Sequence, residues 1–498
     1  MQVLRWLMIS VSAAVTVSDL SAETTNATTL RVGMATAEIT PPLGYPMSGY
    51  YYERGATGAL DPLQAKAIVF DDGQTRLAIV VCDLIGISTD LCSQVRERVS
   101  QSTNISAHNV MVTATHCHTT PDYYADFRKY LSGQQTAEST NYPSRLVTGI
   151  VSAIESAMDS CSEATLSVGS GNEESVSFNR RFVTTDGSIR TWANYRDPKV
   201  VRAAGPIDPA LDMLLVKEPA ANTSNDGATP TYRGALTAFA LHLDTTGGSK
   251  FSADFPFHME RALRSNLGEE FLSIFAAGTC GDINHVNPQS KDRNRPHVIG
   301  ARLSDAFVAA MPSMKDVVPA LRMKRRIVQI PLKSFTKDEL TQAHEIIAKD
   351  KAGEEVPFLD EVNAYNIRLL SVLREGPQAH RNRSTNDGGQ GWGTSTSLVG
   401  IGASMPVEVQ VMQLGTDAVV VGLPGEVFVE LGLSIKRASP YRHTMVFELA
   451  NSDESGYIPT KLAYQGGGYE VINSVFQPGG GEMLVEATIE LLREMKSE

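Results

Sequence analysis

The stretch from Asn109 to Tyr124, NVMVTATHCHTTPDYY, decides how the chain is read. Val110, Val112 and Ala114 alternate with Met111, Thr113 and Thr115, the two-residue period of a strand. Side chains two apart on a strand share a face, so His116 and His118 are expected side by side at its end. Pro121 donates no hydrogen bond to a ladder and stops the strand close by. Two imidazoles leaving a strand end are how a β scaffold presents a metal or a catalytic pair. The HxH spacing alone does not separate that arrangement from two unrelated strand-end histidines.

Upstream, Ala65–Phe70 and Leu77–Cys82 read as buried strands, and Asp83 closes the second. An acid there is a site residue or, more commonly, a helix N-cap. Leu84–Ser100 has helical character and leads into the histidine strand. Strand, helix, strand makes a β-α-β unit, which places ligands beyond the strands' C-terminal ends. Between Arg31 and Asp83, the run ITPPLGYPMSGYYYERGATGALDPL is dense in proline and glycine and forces an irregular path back over the domain.

Downstream, Arg145–Met158 reads as an amphipathic helix. The segment SVSFNRRF, Ser175–Phe182, sets Arg180 and Arg181 in an apolar strand pattern. One of them is expected to face inward, where it needs an anionic partner. Leu211–Val216 and Ala235–His242 read as strands, and His242 ends an apolar run much as His116 does. A helix follows over Phe257–Leu267, then a buried strand over Phe271–Ala277 that runs into the polar turn GTCGDINH, Gly278–His285. Lys337–Leu373 is helical and charged, the pattern of a solvated surface excursion, and Glu375–Gly402 is loop-like. Two more strands, Val407–Leu414 and Ala418–Leu423, lead to Glu426 at a strand-to-helix turn, a place where the helix dipole alone favours an acid. Asn451–Glu470 carries Tyr457 and Tyr469, and a helix over Glu482–Met495 closes the chain.

The chain has 498 residues and a net charge of -12 with no basic run, which argues against a nucleic-acid partner. Met1–Ala22 has the charge and the short apolar core of a secretory signal, although Leu20 sits where a small residue is preferred before cleavage, and a retained N-terminal anchor is the alternative reading. A secreted or periplasmic location is therefore expected. Five cysteines without CxxC spacing form neither a disulfide framework nor a cysteine zinc site; at most one or two bridges are expected. No internal repeat is visible.

Taken in order, HCH at 116–118, NR at 179–180, His242, GD at 281–282, PGE at 424–426, and Tyr457 with Tyr469 follow the ITPP and GYYY opening. This ordered set resembles the neutral/alkaline (non-lysosomal) ceramidase family. Each motif is weak alone, but together they run from about Val32 to the C-terminus. The resemblance implies an α/β fold of mixed β-sheets flanked by helices, forming a single catalytic domain over residues 30–498 around one Zn2+. The positions matching the family's zinc ligands are His116, His242, Glu426 and Tyr457. Those matching its substrate-polarising and proton-handling residues are His118, Arg180 and Tyr469.

The implied activity is hydrolysis of an amide bond, as in N-acylsphingosine, by a zinc-bound water. Imidazole and carboxylate are donors zinc favours, and arginine and tyrosine donors suit a developing oxyanion. The implied partner is a lipid or small N-acyl amide, with peripheral contact to a membrane. Two departures stand out. Asn284 occupies the place of the family's proposed serine nucleophile, and an amide side chain cannot be acylated and turned over. The loop after the histidines, TTPDYY, is bulkier and more polar than the family's glycine-rich loop, which points to a substrate other than a two-chain lipid. The chain is also expected to end with the catalytic part, without the family's immunoglobulin-like C-terminal domain. An ester, a carbohydrate-derived or other polar substrate, and an inactive binding homologue are the alternative readings.

Overall fold

The computed structural model describes residues 29–52, 54–123, 137–219, 231–290, 293–376 and 395–498. Their strands form three principal sheets that repeat one pattern. In the first, Arg31–Glu38, Gln64–Asp71 and Arg76–Cys82 run antiparallel. The helix Thr89–Ser102 then crosses over, and Val110–Ala114 lies parallel to Arg76–Cys82 at the sheet edge. The second sheet is built likewise from Thr165–Asn172, Ala210–Lys217 and Tyr232–Phe239, the crossover helix Phe255–Leu267, and the parallel edge strand Leu272–Ala277. The third uses Pro319–Pro331, Ser404–Gly415 and Ala418–Gly422, the helix Val429–Ala438, and the parallel strand His443–Phe447. A further helix follows each parallel strand: Ala137–Asp159, Pro296–Ala310 and Gly480–Ser497.

One β-β-β-α-β-α unit therefore occurs three times, although no repeat is visible in the sequence. Equivalent strands need only equivalent burial, so apolar residues interchange freely among them. The connections also differ in length, the third unit carrying the inserted helices Lys337–Lys351 and Phe358–Glu375.

Ile79, Leu236, Ile274, Met412, Val420 and Phe447, drawn from all three sheets, share one core. Each such side chain contributes roughly 1.5–3 kcal/mol when fully buried. The three parallel edge strands meet at their C-terminal ends. Asn451 donates its backbone N–H to Val112 O (2.7 Å) and accepts from Val112 N at its side-chain oxygen (3.0 Å). Glu448 N–H donates to Ala277 O at 3.1 Å.

The mixed α/β class and the β-α-β unit are as expected, while several details differ. All five residues of Val110–Ala114 are buried, as in a strand covered on both faces, so its alternation carries no inside–outside meaning. The expected helix at Leu84 begins only at Thr89, because Ser88, not Asp83, caps it (Leu91 N to Ser88 Oγ, 3.1 Å). Asp83 instead accepts Gln64 N at 2.8 Å. None of the five cysteines forms a disulfide. No helix among the described residues is long and apolar enough to cross a membrane. The signal read at residues 1–22 and most of the loop at 375–402 lie outside the described residues.

Candidate metal centre

The site sits where the three units' strand ends converge. The first edge strand stops at Ala114, so the shared-face argument for His116 and His118 does not apply. His116 instead adopts a left-handed backbone, φ 68°, rarely taken by a residue with a side chain. Cys117 then bridges to Leu243, and His118 N–H donates to Leu243 O at 3.0 Å. That turn, not a strand, brings the two rings to 5.0 Å. His242 lies three residues past Phe239, on the neighbouring chain segment. Glu426 and Tyr457 are register partners in a two-residue parallel ladder, Glu426–Val427 against Tyr457–Ile458. Gly281 is required beside them: a Cβ there would lie 2.6 Å from Glu426 O.

Three histidines have the same orientation. His116 Nδ1 lies 2.8 Å from Ile85 O, His118 Nδ1 2.8 Å from Gly49 O, and His242 Nδ1 2.9 Å from Cys280 O. A carbonyl only accepts, so each Nδ1 carries the hydrogen and each Nε2 presents a lone pair inward. Their ligating nitrogens lie within 4.8 Å of one another. His116 Nε2 and His242 Nε2 stand 3.0 Å apart, and Glu426 Oε2 is 3.3 Å from each. Glu426 Oε2 is buried with no hydrogen-bond partner. Three acceptors thus face one another, with the Arg180 Nη1 donor, 3.1 Å from His242 Nε2, beside them.

Such an array calls for a cation. Its edges of 3.0–3.3 Å match the roughly 3.3 Å edge of a tetrahedron with bonds of about 2.0–2.1 Å, and the donors suit zinc. Backbone carbonyls holding each Nδ1–H are the outer support that metal-ligating histidines commonly have. Glu426 draws positive charge to this point, a proton on His116 where no ion is bound. Burial opposes a charge on His116, yet the Glu426 carboxylate lifts it to about 9. Burial, then His116, holds His118 down to about 4; burial, then Arg180, holds His242 down to about 3.

Arg180 and Arg181 are both buried, where one was expected to be. A single acid explains this: Glu470 Oε1 accepts Arg180 Nε (2.8 Å) and its Oε2 accepts Arg181 Nη1 (2.6 Å). Arg180 Nη2 also donates to Tyr457 OH (3.0 Å) and to Gly281 O (2.8 Å). Tyr469 packs its ring 5.5 Å from that of Tyr457. All seven residues singled out from sequence therefore gather at one place.

Glu470 and Glu448 were not anticipated. Glu448 is fully buried and accepts the N–H groups of Cys280 (3.0 Å) and Val427 (2.8 Å), tying the loop that holds His242 to the one carrying Glu426. Neither acid belongs to a local motif, since their partners are distant in sequence. Asn284 uses its side-chain oxygen to accept Val286 N at 3.1 Å, a local turn contact.

Around Tyr469 lies an aromatic rim. Trp192 is 4.7 Å and Phe358 5.9 Å from it, and Tyr51 is 5.4 Å from Phe358. Phe358 opens the second helix of the charged excursion, which is therefore not merely solvated surface. Conversely, Thr119–Tyr123 is buried throughout and packs inward, so these polar residues do not line an open mouth.

Residues 30–243 match the model of the family described as neutral/alkaline non-lysosomal ceramidase, N-terminal. The chain is 25% identical over 273 residues to a neutral ceramidase of Mycobacterium tuberculosis (strain ATCC 25618 / H37Rv), taking in 51% of this chain and 40% of that protein. It thus spans well under two thirds of that relative's length. Among solved structures it is similar to neutral ceramidase from Pseudomonas aeruginosa, with a TM-score of 0.67 and 19% identity over 94% of this chain and 75% of that one. It is similar, with the same score and coverage at 18% identity, to a ceramidase complexed with C2. At these identities the solved structures speak for the fold.

Proposed function

Residues 30–243 being of the neutral/alkaline ceramidase family, a family of ceramidase-like hydrolases, we propose that this protein is a zinc-dependent amidohydrolase of an N-acyl amide lipid. The observation that carries the reading is the array of facing acceptors on His116, His242 and Glu426. These three and Tyr457 would hold the ion. When bound, zinc supplies Lewis acidity and lowers the pKa of water toward neutrality.

The remaining groups supply position and protons. His118, neutral and with Nε2 free, is placed to take a proton from the attacking water and return it to the departing amine. Arg180, held by Glu470, and Tyr469 direct donors at the developing oxyanion. Tyr51, Trp192 and Phe358 present apolar surface to an acyl or alkyl chain, which favours a lipid over a polar substrate. Asn284 offers no nucleophile, so water attacks directly. Export to the periplasm or beyond, on the leader at residues 1–22, belongs to the same proposal.

Metal analysis of the purified protein, alongside a screen of N-acyl amides and matched esters, tests this. The expected result is zinc in the wild type, lost in His242→Ala and Glu426→Ala, with amide hydrolysis lost alongside it. Full zinc occupancy in those variants, or hydrolysis indifferent to chelation, overturns the proposal.

A further inference from the structure

The proline- and glycine-rich run after Glu38 folds into a hairpin whose tip lies against His118. Gly44 N–H donates to Ala56 O (2.7 Å), Ala56 N–H to Tyr45 O (2.9 Å) and Met47 N–H to Arg54 O (3.0 Å). Its outgoing arm runs beside the histidine turn, where Ser48 N–H donates to Thr120 O at 2.9 Å and Met47 bridges to Pro121. The tip thereby sets Gly49 O 2.8 Å from His118 Nδ1 and the Tyr50 ring 6.0 Å from the His118 ring. The approach is so close that a Cβ on residue 49 would lie 2.5 Å from His118 O, and its φ of 101° suits glycine.

One side chain holds this tip. Arg54 is buried, and its guanidinium donates from Nη2 to Ser48 O and His118 O and from Nη1 to Gly248 O. The same group stacks over the Tyr50 ring, 4.3 Å from its centroid. Each of these acceptors is a backbone carbonyl and none is a carboxylate, while Nε is buried without a partner. A buried cation with no anion is costly, so packing alone would favour an apolar residue here. What a guanidinium adds is a planar fork that joins three chain segments at fixed angles.

We propose that Arg54 is a positioning residue for His118, clamping Gly49 O onto its Nδ1 so that Nε2 keeps its lone pair for the proton. Without the clamp the tip lifts at its glycine and the ring loses the acceptor that fixes its tautomer. The hydrogen can then move to Nε2, where it blocks proton uptake. The role in turnover rests on the reading of His118 as proton carrier, whereas the clamp concerns only the state of the ring. Tyr51, on the same tip, faces Phe358 of the rim, so an effect carried through the rim would appear in KM instead.

Two measurements on the full chain test this. The first is a double-mutant cycle on amide hydrolysis. Arg54→Met is expected to lower kcat about 100-fold, the scale of a lost acid–base group, with KM and zinc content unchanged. His118→Ala is expected to lose at least as much, and adding Arg54→Met to it to cost nothing further. Arg54→Lys, which keeps the charge and the stem but not the fork, is expected to lose about 10-fold. The second is the ring-nitrogen magnetic resonance spectrum of isotope-labelled histidine, with His118 assigned by its loss in His118→Ala. Wild type is expected to show the Nδ1–H tautomer, and Arg54→Met a mixture of the two. Losses that multiply in the double variant make Arg54 a structural residue and overturn the proposal, as does a His118 tautomer that Arg54→Met leaves unchanged. A wild type that hydrolyses no amide removes the reading of His118 as proton carrier, and the ring spectrum alone then decides the clamp. If Arg54→Met does not fold, Arg54→Lys is read by the same cycle and the same spectrum.

Discussion

Glu470→Gln isolates the clamp on the two arginines. In the native structure the carboxylate is fully buried and accepts from Arg180, Arg181 and Thr191 Oγ1 (2.9 Å). The amide fills the same space but loses the charge and turns a donor toward one guanidinium. A hydrogen bond to a charged group is worth about 1.5–3 kcal/mol, and breaking a buried pair from one side costs about 3–5 kcal/mol. The larger figure is the appropriate one, because both arginines stay buried with no other acid among their hydrogen-bond partners. A chain of this length has an unfolding entropy on the order of 1 kcal/mol/K, so the melting temperature should fall by about 3–5 °C. Turnover should fall by up to about 100-fold as Arg180 loses its aim, while metal content stays at the wild-type value, because Glu470 is not among the proposed ligands. Scanning calorimetry, steady-state kinetics and elemental analysis of one preparation check all three. A variant that melts with wild type and turns over within twofold of it would refute the clamp. Loss of metal would place Glu470 in the ligand scaffold instead.

Other outcomes follow from the same geometry. Turnover should proceed without an acyl-enzyme: mass spectrometry of the quenched enzyme should find the chain unmodified, and serine-directed phosphonates should not inhibit. An acyl adduct on any side chain contradicts this. Phe358→Ala and Trp192→Ala should each raise KM about 5- to 10-fold on long-chain amides with kcat little changed, as uniform binding is lost; equal KM values on short and long chains would remove the rim from recognition. Asp83, whose burial pushes its carboxyl up to about 7, binds its proton more tightly folded than unfolded. Its contribution is therefore present below about pH 4 and lost as pH rises through about 7, amounting to at most on the order of 4 kcal/mol. Asp83→Asn should flatten that part of the stability–pH profile, and an unchanged slope would count against it.

How far the sequence could be read depended on whether each partner was local. The strands were legible because parallel, doubly covered strands are near-continuous apolar runs, as in Arg76–Cys82 and Leu272–Ala277. His116 and His118 were found for a reason that does not hold: the two-residue period pointed at them, but a left-handed turn after Ala114 places them. One buried arginine was expected and two are found, because the acid that allows the second, Glu470, lies 289 residues from Arg181. The same distance hid Glu448, whose partners belong to two other loops. Composition made Lys337–Leu373 look like solvated surface; only packing reveals that Phe358, the first residue of its second helix, faces Tyr51 and Tyr469.

The threefold unit sets how the protein can assemble. His116 belongs to the first unit, His242, 126 residues later, to the second, and Glu426 with Tyr457 to the third. No unit carries a complete donor set, so a unit that folds alone has nothing with which to grip an ion. Each also closes its own sheet through contacts within about 150 residues, while the donors come together only when three such bodies dock. Capture of the proposed ion would thus be a late event whose free energy acts on the seams between units and not on any one sheet. A core substitution in one unit, far from every ligand, would then announce itself first as weakened metal retention, before any loss of secondary structure.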